Sequence, residues 1–276
     1  MDYTISRPVE NAALRVISLG AGVQSSVMAL LAARGEIGPM PDAAIFADTQ
    51  WEPAAVYEHL GWLESQLPFP VYRVTAGNIR DGIMAATNST GQRFAAVPWY
   101  IPDGIGRRQC TREYKIQPIQ REVRRLLGYA KGERITGAIA EQWIGISTDE
   151  IQRMKDARVK WIQHRWPLIE LRWNRATCYA WFQANYSDRQ LPKSACLGCP
   201  FHSNRYWMDL KRDSPEEWAD AVEVDRALRA NGPLRGMRQE QYMHRSCIPL
   251  EEVDFTEWEN QMDFGFLSEC EGMCGV

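Results

Sequence analysis

Two kinds of apolar pattern alternate along the first part of the chain. Short runs of consecutive apolar residues at 14–19, 43–48 and 70–75 are typical of strands buried on both faces. Between these runs apolar residues recur at helical spacing, as Val56 and Leu60 do after the second run. Strands that alternate with helices predict a parallel sheet with helices on both faces. We therefore expect an α/β fold with a doubly wound, mostly parallel sheet.

A long polar stretch interrupts this pattern after the third predicted strand. Residues 88–111 contain several Gly and Pro residues and are predicted to form a loop, which at such a length is usually functional. A basic helix is expected at 113–127. Further strands are predicted at 143–147 and 160–170, followed by a helix at 174–186.

The C-terminal part of the chain differs in character from the rest. It contains a Cys-x-x-Cys motif, a Trp-rich helical region and a tail with two further cysteines. We therefore divide the chain into an α/β domain over residues 1–187 and a cysteine-containing cap and tail over residues 188–276. The cap is expected to be helical and to cover an edge of the sheet, not to fold as an independent domain.

The first predicted strand runs into a glycine loop that opens directly onto an apolar helix. Gly20 and Gly22 have no Cβ, so the backbone can turn through positive φ and can approach a ligand closely. Ser25 and Ser26 fall where the helix begins, so their hydroxyls can add to the unpaired N–H groups of its first turn. Such a helix terminus favours a phosphate or sulfate. An ordinary tight strand–turn–helix connection is the alternative.

Composition places the chain among ordinary globular proteins, with 45% apolar residues and a net charge of −3. Nucleic-acid binding would therefore need a local basic patch. No apolar run is long enough to span a membrane and the N-terminus has no signal-peptide segment, so we expect a cytoplasmic protein with no membrane partner. One segment, residues 107–125, is rich in cations and could be either a nucleic-acid surface or a solvated helix face. Its cations are Arg107, Arg108, Arg112, Lys115, Arg121, Arg124 and Arg125.

Seven cysteines in a reducing compartment favour metal or redox chemistry over structural disulfides. The two-residue spacing of Cys196 and Cys199 fits zinc, an iron–sulfur cluster or a redox dithiol. Cys110, at the end of the long loop, is a candidate third ligand. Cys247 is the candidate fourth ligand, and the neighbouring His244 is either an alternative ligand or a surface histidine.

The remaining three cysteines allow different interpretations. Cys178 lies among aromatic residues on an amphipathic helix, so a buried core thiol is the better interpretation. Cys270 and Cys274 lie in the terminal tail, where they could form a disulfide, act as nucleophiles or bind a metal.

Six motifs occur in the order found in a known superfamily. They are Ser18-Leu-Gly20-Ala-Gly22-Val-Gln24-Ser-Ser26, Phe46-Ala-Asp48-Thr-Gln50, Cys110-Thr-Arg-Glu-Tyr-Lys115, Gly145-Ile-Ser-Thr-Asp-Glu150, Trp166-Pro-Leu168 and Cys196-Leu-Gly-Cys199. With them the chain resembles the adenine-nucleotide α-hydrolases (the PP-loop ATP pyrophosphatases), and within these the phosphoadenosine phosphosulfate reductase branch. The resemblance covers residues 14–200. Two positions depart from the reductases: Gln109 replaces one of two paired cysteines, and Ser147-Thr148 replaces an arginine pair.

The resemblance implies a Rossmann-like sheet of the PP-loop type that binds ATP or phosphoadenosine phosphosulfate at its strand ends. It also implies a [4Fe–4S] cluster on Cys110, Cys196, Cys199 and Cys247. The residues expected to hold the nucleotide are Ser18, Gly20, Ala21, Gly22, Gln24, Ser25, Ser26, Asp48, Thr49, Gly145 and Arg107.

The sequence is compatible with three functions. In the first, the protein activates a substrate by adenylation and takes part in sulfur transfer to nucleic acid (thiolation or phosphorothioation), together with sulfur-donor or modification-complex proteins. Asp48 would then position the nucleotide or Mg²⁺, while Arg108 and Lys115 would neutralise the pyrophosphate. In the second, the protein reduces a sulfonucleotide and Cys270 or Cys274 attacks the sulfur. In the third, it is a non-catalytic nucleotide-sensing subunit of a modification or defence complex.

Overall fold

A five-stranded sheet organises the computed structural model, which describes residues 7–87, 91–92, 97–232 and 238–256. Its strands follow the order β3-β2-β1-β6-β7, and all neighbours are parallel. They are β1 (Leu14–Leu19), β2 (Ala43–Asp48), β3 (Val71–Thr75), β6 (Ala140–Ile144) and β7 (Ile162–Arg165). Two short strands, β4 (Tyr100–Ile101) and β5 (Gly104–Ile105), form a separate antiparallel pair. The predicted α/β class with a parallel sheet is confirmed.

Helices connect the strands and continue beyond the sheet. They are α1 (Val23–Ala33), α2 (Ala54–Gln66), α3 (Ile79–Met84), α4 (Gln117–Leu126), α5 (Pro167–Glu170), α6 (Arg175–Asn185), α7 (Asn204–Asp213) and α8 (Pro215–Ala230). A π-helical segment, Thr111–Ile116, runs directly into α4, and 3₁₀ segments occupy Thr148–Arg153 and Leu250–Glu252. In the described part of the chain, no helix combines the length and the apolar character that crossing a bilayer requires.

The two faces of the sheet are covered by different helices, because side chains alternate along each strand. Ile17 and Leu19 of β1 pack in one cluster with residues of α1, α2 and α6. Leu14 and Val16 of the same strand pack in another cluster with Ile119 and Val123 of α4. The result is a three-layer α/β structure with the sheet in the middle.

Two predicted strands are displaced in the structure. The strand expected at 143–147 is β6, which begins earlier, at Ala140, and includes the buried polar residues Glu141 and Gln142. An apolar pattern does not reveal such a start. The strand expected at 160–170 ends at Arg165, because Pro167 occupies the first turn of α5, where its missing N–H costs no hydrogen bond.

The C-terminal region packs against earlier parts of the chain. One apolar cluster joins Trp51, Ile79 and Trp99 to Trp207 of α7 and Leu228 of α8. The C-terminal region therefore shares an apolar core with earlier segments, as we expect of a cap that does not fold independently. The boundary at residue 187 stays a prediction.

Candidate functional site

The strand order reverses beside β1, which pairs with β2 on one side and β6 on the other. In open parallel sheets, ligands bind at the carboxyl ends of the strands where the order reverses. The glycine loop, residues 20–22, follows β1 at this edge. Asp48 ends β2, and Gly145 directly follows β6 at the same edge.

Positive φ in the glycine loop falls on Ala21, whereas the sequence suggested Gly20 and Gly22. Ala21 has φ of 56°, whereas Gly22 is extended with φ of −97° and ψ of −171°. An alanine in the left-handed region costs roughly 1–2 kcal/mol, and such strain is concentrated at functional sites. The loop is therefore held in a conformation that its own sequence does not prefer.

The hydroxyls near the start of α1 form internal contacts. Ser25 Oγ accepts a hydrogen bond from the Gly20 N–H at 3.2 Å, which closes the loop on itself. Ser26 Oγ lies 2.9 Å from Nε2 of His59 on α2, and burial lowers the pKa of that histidine to about 4. Ser18 Oγ accepts a hydrogen bond from the Gln142 amide within the sheet. The helix terminus itself, at Gly22, has no side-chain cap.

Gln24 connects the glycine loop to the segment after β6. Its Nε2 donates to Ser147 Oγ at 3.2 Å and to Glu150 Oε2 at 3.1 Å. Its Oε1 accepts a hydrogen bond from the Arg175 guanidinium at 3.3 Å. Arg175 thus brings a cation to the loop from the first turn of α6, a role that sequence reasoning missed because nothing in the local pattern distinguishes this arginine.

Gly145 has a packing role at the start of α1. A Cβ at this position would lie 2.9 Å from Ser25 N and 3.0 Å from Ser25 Cα. The end of β6 therefore lies directly against the first turn of α1, and only glycine allows this approach. This packing accounts for glycine at position 145, and its predicted nucleotide contact stays a prediction.

The end of β2 carries the predicted acidic and hydroxyl groups. Asp48 Oδ1 accepts hydrogen bonds from Gln50 N at 2.7 Å and from the Tyr57 hydroxyl at 2.8 Å. Burial, together with this bond to Asp48, raises the pKa of Tyr57 well above its usual range. Thr49 is buried, and its hydroxyl donates to Glu52 Oε1 at 3.1 Å. Both of these hydrogen bonds from described residues use Oδ1 of Asp48.

Three cysteines meet at a small cavity next to Thr49, which we call the cysteine cavity. Its volume of about 20 Å³ has room for about one water molecule. Between two of the cysteines, Gly198 packs under Trp51, and a Cβ there would lie 2.1 Å from the indole Cη2. The lining residues that matter for chemistry are Thr49, Arg108, Cys110, Lys115, Cys196 and Cys199.

A buried polar network surrounds the Cys196 thiol. The thiol donates to Thr49 Oγ1 at 3.3 Å and also lies 3.7 Å from Glu52 Oε1. Lys115 Nζ is 3.6 Å from the same carboxylate oxygen. Burial raises the pKa of Cys196 well above its usual range, and the Glu52 charge adds to this, while Lys115 acts in the opposite direction. The thiol is therefore protonated at neutral pH.

Glu52 is the centre of this network and was not among the predicted site residues. Its side chain is 1% exposed, and Oε2 has no hydrogen-bond partner. In the sequence, a Glu before Pro53 indicates the start of a helix and nothing more. The signal that was missed is three-dimensional: Cys196 and Lys115, distant in sequence, both reach the same carboxylate.

The segment 194–199 contacts both the glycine loop and the end of β2. The Ser194 hydroxyl donates to the Gly20 carbonyl oxygen. Leu197 N donates to the Trp51 carbonyl oxygen at 2.8 Å, three residues after Asp48. Together with the contact of Cys196 on Thr49, these bonds place the cysteine cavity beside the predicted nucleotide site.

The predicted fourth ligand, Cys247, is not among the residues that line the cysteine cavity. It lies in the same region, since the side chain of Tyr100 is within electrostatic range of both Cys199 and Cys247. His244 is buried, and its two ring nitrogens contact Ser246 Oγ and Asn204 Oδ1. It is therefore not the surface histidine that the sequence allowed.

Thiols are the right donors for an iron–sulfur cluster, and three of the four predicted ligands line the cysteine cavity. Within the described ranges, no three His, Cys, Asp or Glu side chains are grouped closely enough to hold a metal ion. The [4Fe–4S] cluster therefore stays a prediction from the resemblance.

The remaining predicted residues fall in different environments. Cys178 is fully buried in the core, which confirms its interpretation as a core thiol. Arg107 is exposed. The Arg108 guanidinium lies 5.0 Å above the Phe201 ring at the cysteine cavity. Cys270 and Cys274 lie outside the described residues.

Comparisons with known proteins add little to this geometry. No protein-family model matches the chain, and no curated protein matches it. A solved structure of phosphoadenylyl-sulfate (PAPS) reductase from Candida auris, in a phosphate complex, is similar over 64% of this chain and 73% of that chain. The identity is 14% and the TM-score is 0.38. The fold assignment therefore rests on the sheet topology, and the family stays an expectation from the motifs.

Proposed function

We propose that this protein binds an adenine nucleotide at the glycine loop, activates a substrate by adenylation and takes part in sulfur transfer. The observation that carries the proposal is the contact between two sites of different chemistry. Ser194 bonds the glycine loop and Cys196 bonds Thr49 within one short segment. An anion-binding loop and a thiol thus lie at adjoining strand ends.

The nucleotide phosphates would lie at the N-terminus of α1. The uncapped helix start at Gly22 supplies partial positive charge and N–H donors. Arg175, held against Gln24, supplies a full positive charge nearby. Asp48 Oδ2 would take Mg²⁺, which binds proteins through one or two carboxylates plus phosphate oxygens. These groups support ATP and phosphoadenosine phosphosulfate equally well.

Sulfur chemistry would take place at Cys196. Burial and the nearby Glu52 carboxylate hold the pKa of its thiol high, so the thiol is protonated at rest, while Lys115 favours the thiolate form. A protonated resting thiol is protected from oxidation, since the thiolate is the reactive form. Adenylation releases pyrophosphate from ATP. A sulfur-donor protein would pass sulfane sulfur to the Cys196 thiol as a persulfide, whose terminal sulfur would displace AMP from the activated substrate. Attack by a second thiol, such as Cys199, on the resulting disulfide would release the thiolated substrate, and an external thiol reductant would restore the two cysteines.

Calorimetric titration with ATP and with phosphoadenosine phosphosulfate tests the nucleotide site. Gly22→Val should abolish binding, because its extended backbone accommodates valine while the side chain occupies the loop mouth. Gly61→Val is the matched control, since a Cβ at Gly61 meets nothing within 4 Å. Equal affinity in the wild type and Gly22→Val would contradict the proposal. Pyrophosphate release from ATP would then support adenylation, whereas sulfite release from the sulfonucleotide would support reduction.

A further inference from the structure

A wide groove follows the face of α4 that points away from the sheet. Ile119 and Val123 of this helix are buried in the core, whereas the groove side carries residues at spacings of three and four. The groove has a volume of about 530 Å³. We call it the basic groove; it is lined by Ala76, Gln117, Gln120, Arg121, Arg124, Lys131, Val159 and Trp161.

Charge in the basic groove has one sign. Three of its lining residues are cations, and no carboxylate is among the described residues that line it. Elsewhere on the surface, arginines are paired: Arg125 with Glu122 and Arg73 with Glu64, for example. Within the described ranges, Arg121 and Lys131 form no such ion pair. Because the whole chain has a net charge of −3, this local positive field is a specific feature of the groove.

Two contacts hold the groove in shape. The Arg124 guanidinium donates to the carbonyl oxygens of Ala130 and Glu133, which fixes the loop that carries Lys131. The same guanidinium lies 5.6 Å from the centre of the Trp161 ring. The cations and the aromatic ring are therefore positioned before any partner arrives, which lowers the entropic cost of binding.

We propose that the basic groove binds the phosphate backbone of an unpaired nucleic-acid segment. Arg121 and Lys131 are suited to phosphates, and the amides of Gln117 and Gln120 offer donors and acceptors to base edges. Trp161, which is partly exposed, offers an aromatic surface for a base. The neighbouring segments carry further exposed cations, Arg134, Arg158 and Lys160, together with the exposed carboxylates of Glu133 and Asp156, so the purely positive surface is confined to the groove.

The groove is connected to the cysteine cavity through one continuous helical segment. Lys115 lies at the cavity, and Gln117, two residues later, lines the groove. The groove and the cavity lie on different sides of this segment, because residues two apart in a helix do not face each other. The idea that the bound strand accepts the sulfur rests on the proposed function. Binding of a strand to the basic groove does not depend on it.

Fluorescence anisotropy with labelled 20-nucleotide single strands of RNA and DNA tests the inference in the full-length protein. The double variant Arg121→Glu/Lys131→Glu should weaken binding at least tenfold. It should also reduce the slope of log affinity against log salt by about 1.4, since each lost phosphate contact removes about 0.7. The matched control is Arg205→Glu/Arg212→Glu on α7, which changes the net charge equally but lies outside the groove.

The outcomes separate this inference from the proposed function. Gly22→Val should bind the oligonucleotides as the wild type does. Oligonucleotide binding without nucleotide binding would overturn the proposed function alone, and nucleotide binding without oligonucleotide binding would overturn the groove alone. The inference also fails if both charge-reversal pairs weaken binding equally, if a duplex binds more tightly than either single strand, or if only anionic lipid vesicles bind.

Discussion

The buried pair of Glu52 and Lys115 gives the sharpest test of the site. Their side chains are 1% and 5% exposed, and Lys115 Nζ lies 3.6 Å from Glu52 Oε1. At an effective dielectric constant of about 20, two unit charges at this separation attract each other by about 4–5 kcal/mol. Removing one partner leaves the other charge buried without compensation, which costs about 3–5 kcal/mol.

A double-mutant cycle measures this coupling. Lys115→Met and Glu52→Gln should each lower the free energy of unfolding by about 3 kcal/mol, which moves a urea midpoint by about 1 M when the slope is about 3 kcal/mol/M. The double variant should be more stable than the sum of the two losses predicts by about 2–3 kcal/mol, because no buried charge is left alone. Losses that add within about 0.5 kcal/mol would refute the ion pair.

The same variants also report on the thiol. Glu52 raises the pKa of Cys196 and Lys115 lowers it. Glu52→Gln should therefore speed alkylation of Cys196 by iodoacetamide at a fixed pH, and Lys115→Met should slow it. Peptide mass spectrometry separates Cys196 from the other cysteines. A loss of stability without these opposite rate changes would indicate a structural pair that does not act on the thiol.

Three further predictions concern the glycine loop and the residues that contact the start of α1. Gly145→Ala should destabilise the fold and weaken nucleotide binding by calorimetry, because its Cβ meets Ser25 N at 2.9 Å; unchanged binding would contradict this packing. Ala21→Gly should relieve about 1 kcal/mol of backbone strain but lose the burial of one methyl group, about 0.8 kcal/mol, so the urea midpoint should stay nearly unchanged; a clear fall would show that residue 21 is not strained. The pKa of His59 is lowered to about 4 from an ordinary value near 6.5, so stability should fall by up to about 3 kcal/mol as the pH drops from about 6.5 to 4. His59→Gln should flatten that pH profile.

The pattern of apolar residues along the chain predicted most of the fold. The structure confirms the predicted strands at 14–19 and 43–48 and the predicted core face of α2. Each of these apolar patterns is long enough to have a single interpretation. The start of β6 could not be found in this way. Glu141 is fully buried in the sheet, where Trp143 Nε1 donates to it at 2.6 Å and two arginines lie within 4 Å. Burial of a charge is set by partners that sequence spacing does not show.

The candidate site likewise contains residues that the sequence predicts and residues that it does not. The positions of the glycine loop and Asp48 follow from strand ends, which a sequence reveals. Glu52 and Arg175 do not, because each acts through residues far away along the chain: Glu52 with Lys115 and Cys196, and Arg175 with Gln24. Their roles depend on the helical connections between the strands, which bring separate segments of the chain to one edge of the sheet.

This distinction bears on the cysteines most directly. The sequence grouped Cys196 with Cys199 by spacing and offered Cys110 as a third ligand, and the structure places all three at the same cavity. It also places a carboxylate and an ammonium group against Cys196. The carboxylate of Glu52, 3.7 Å from the thiol, opposes the thiolate form of Cys196, whereas the ammonium group of Lys115 favours it. The sequence could supply the thiols but not this pair of opposite charges, because Glu52, Lys115 and Cys196 come from three separate segments of the chain.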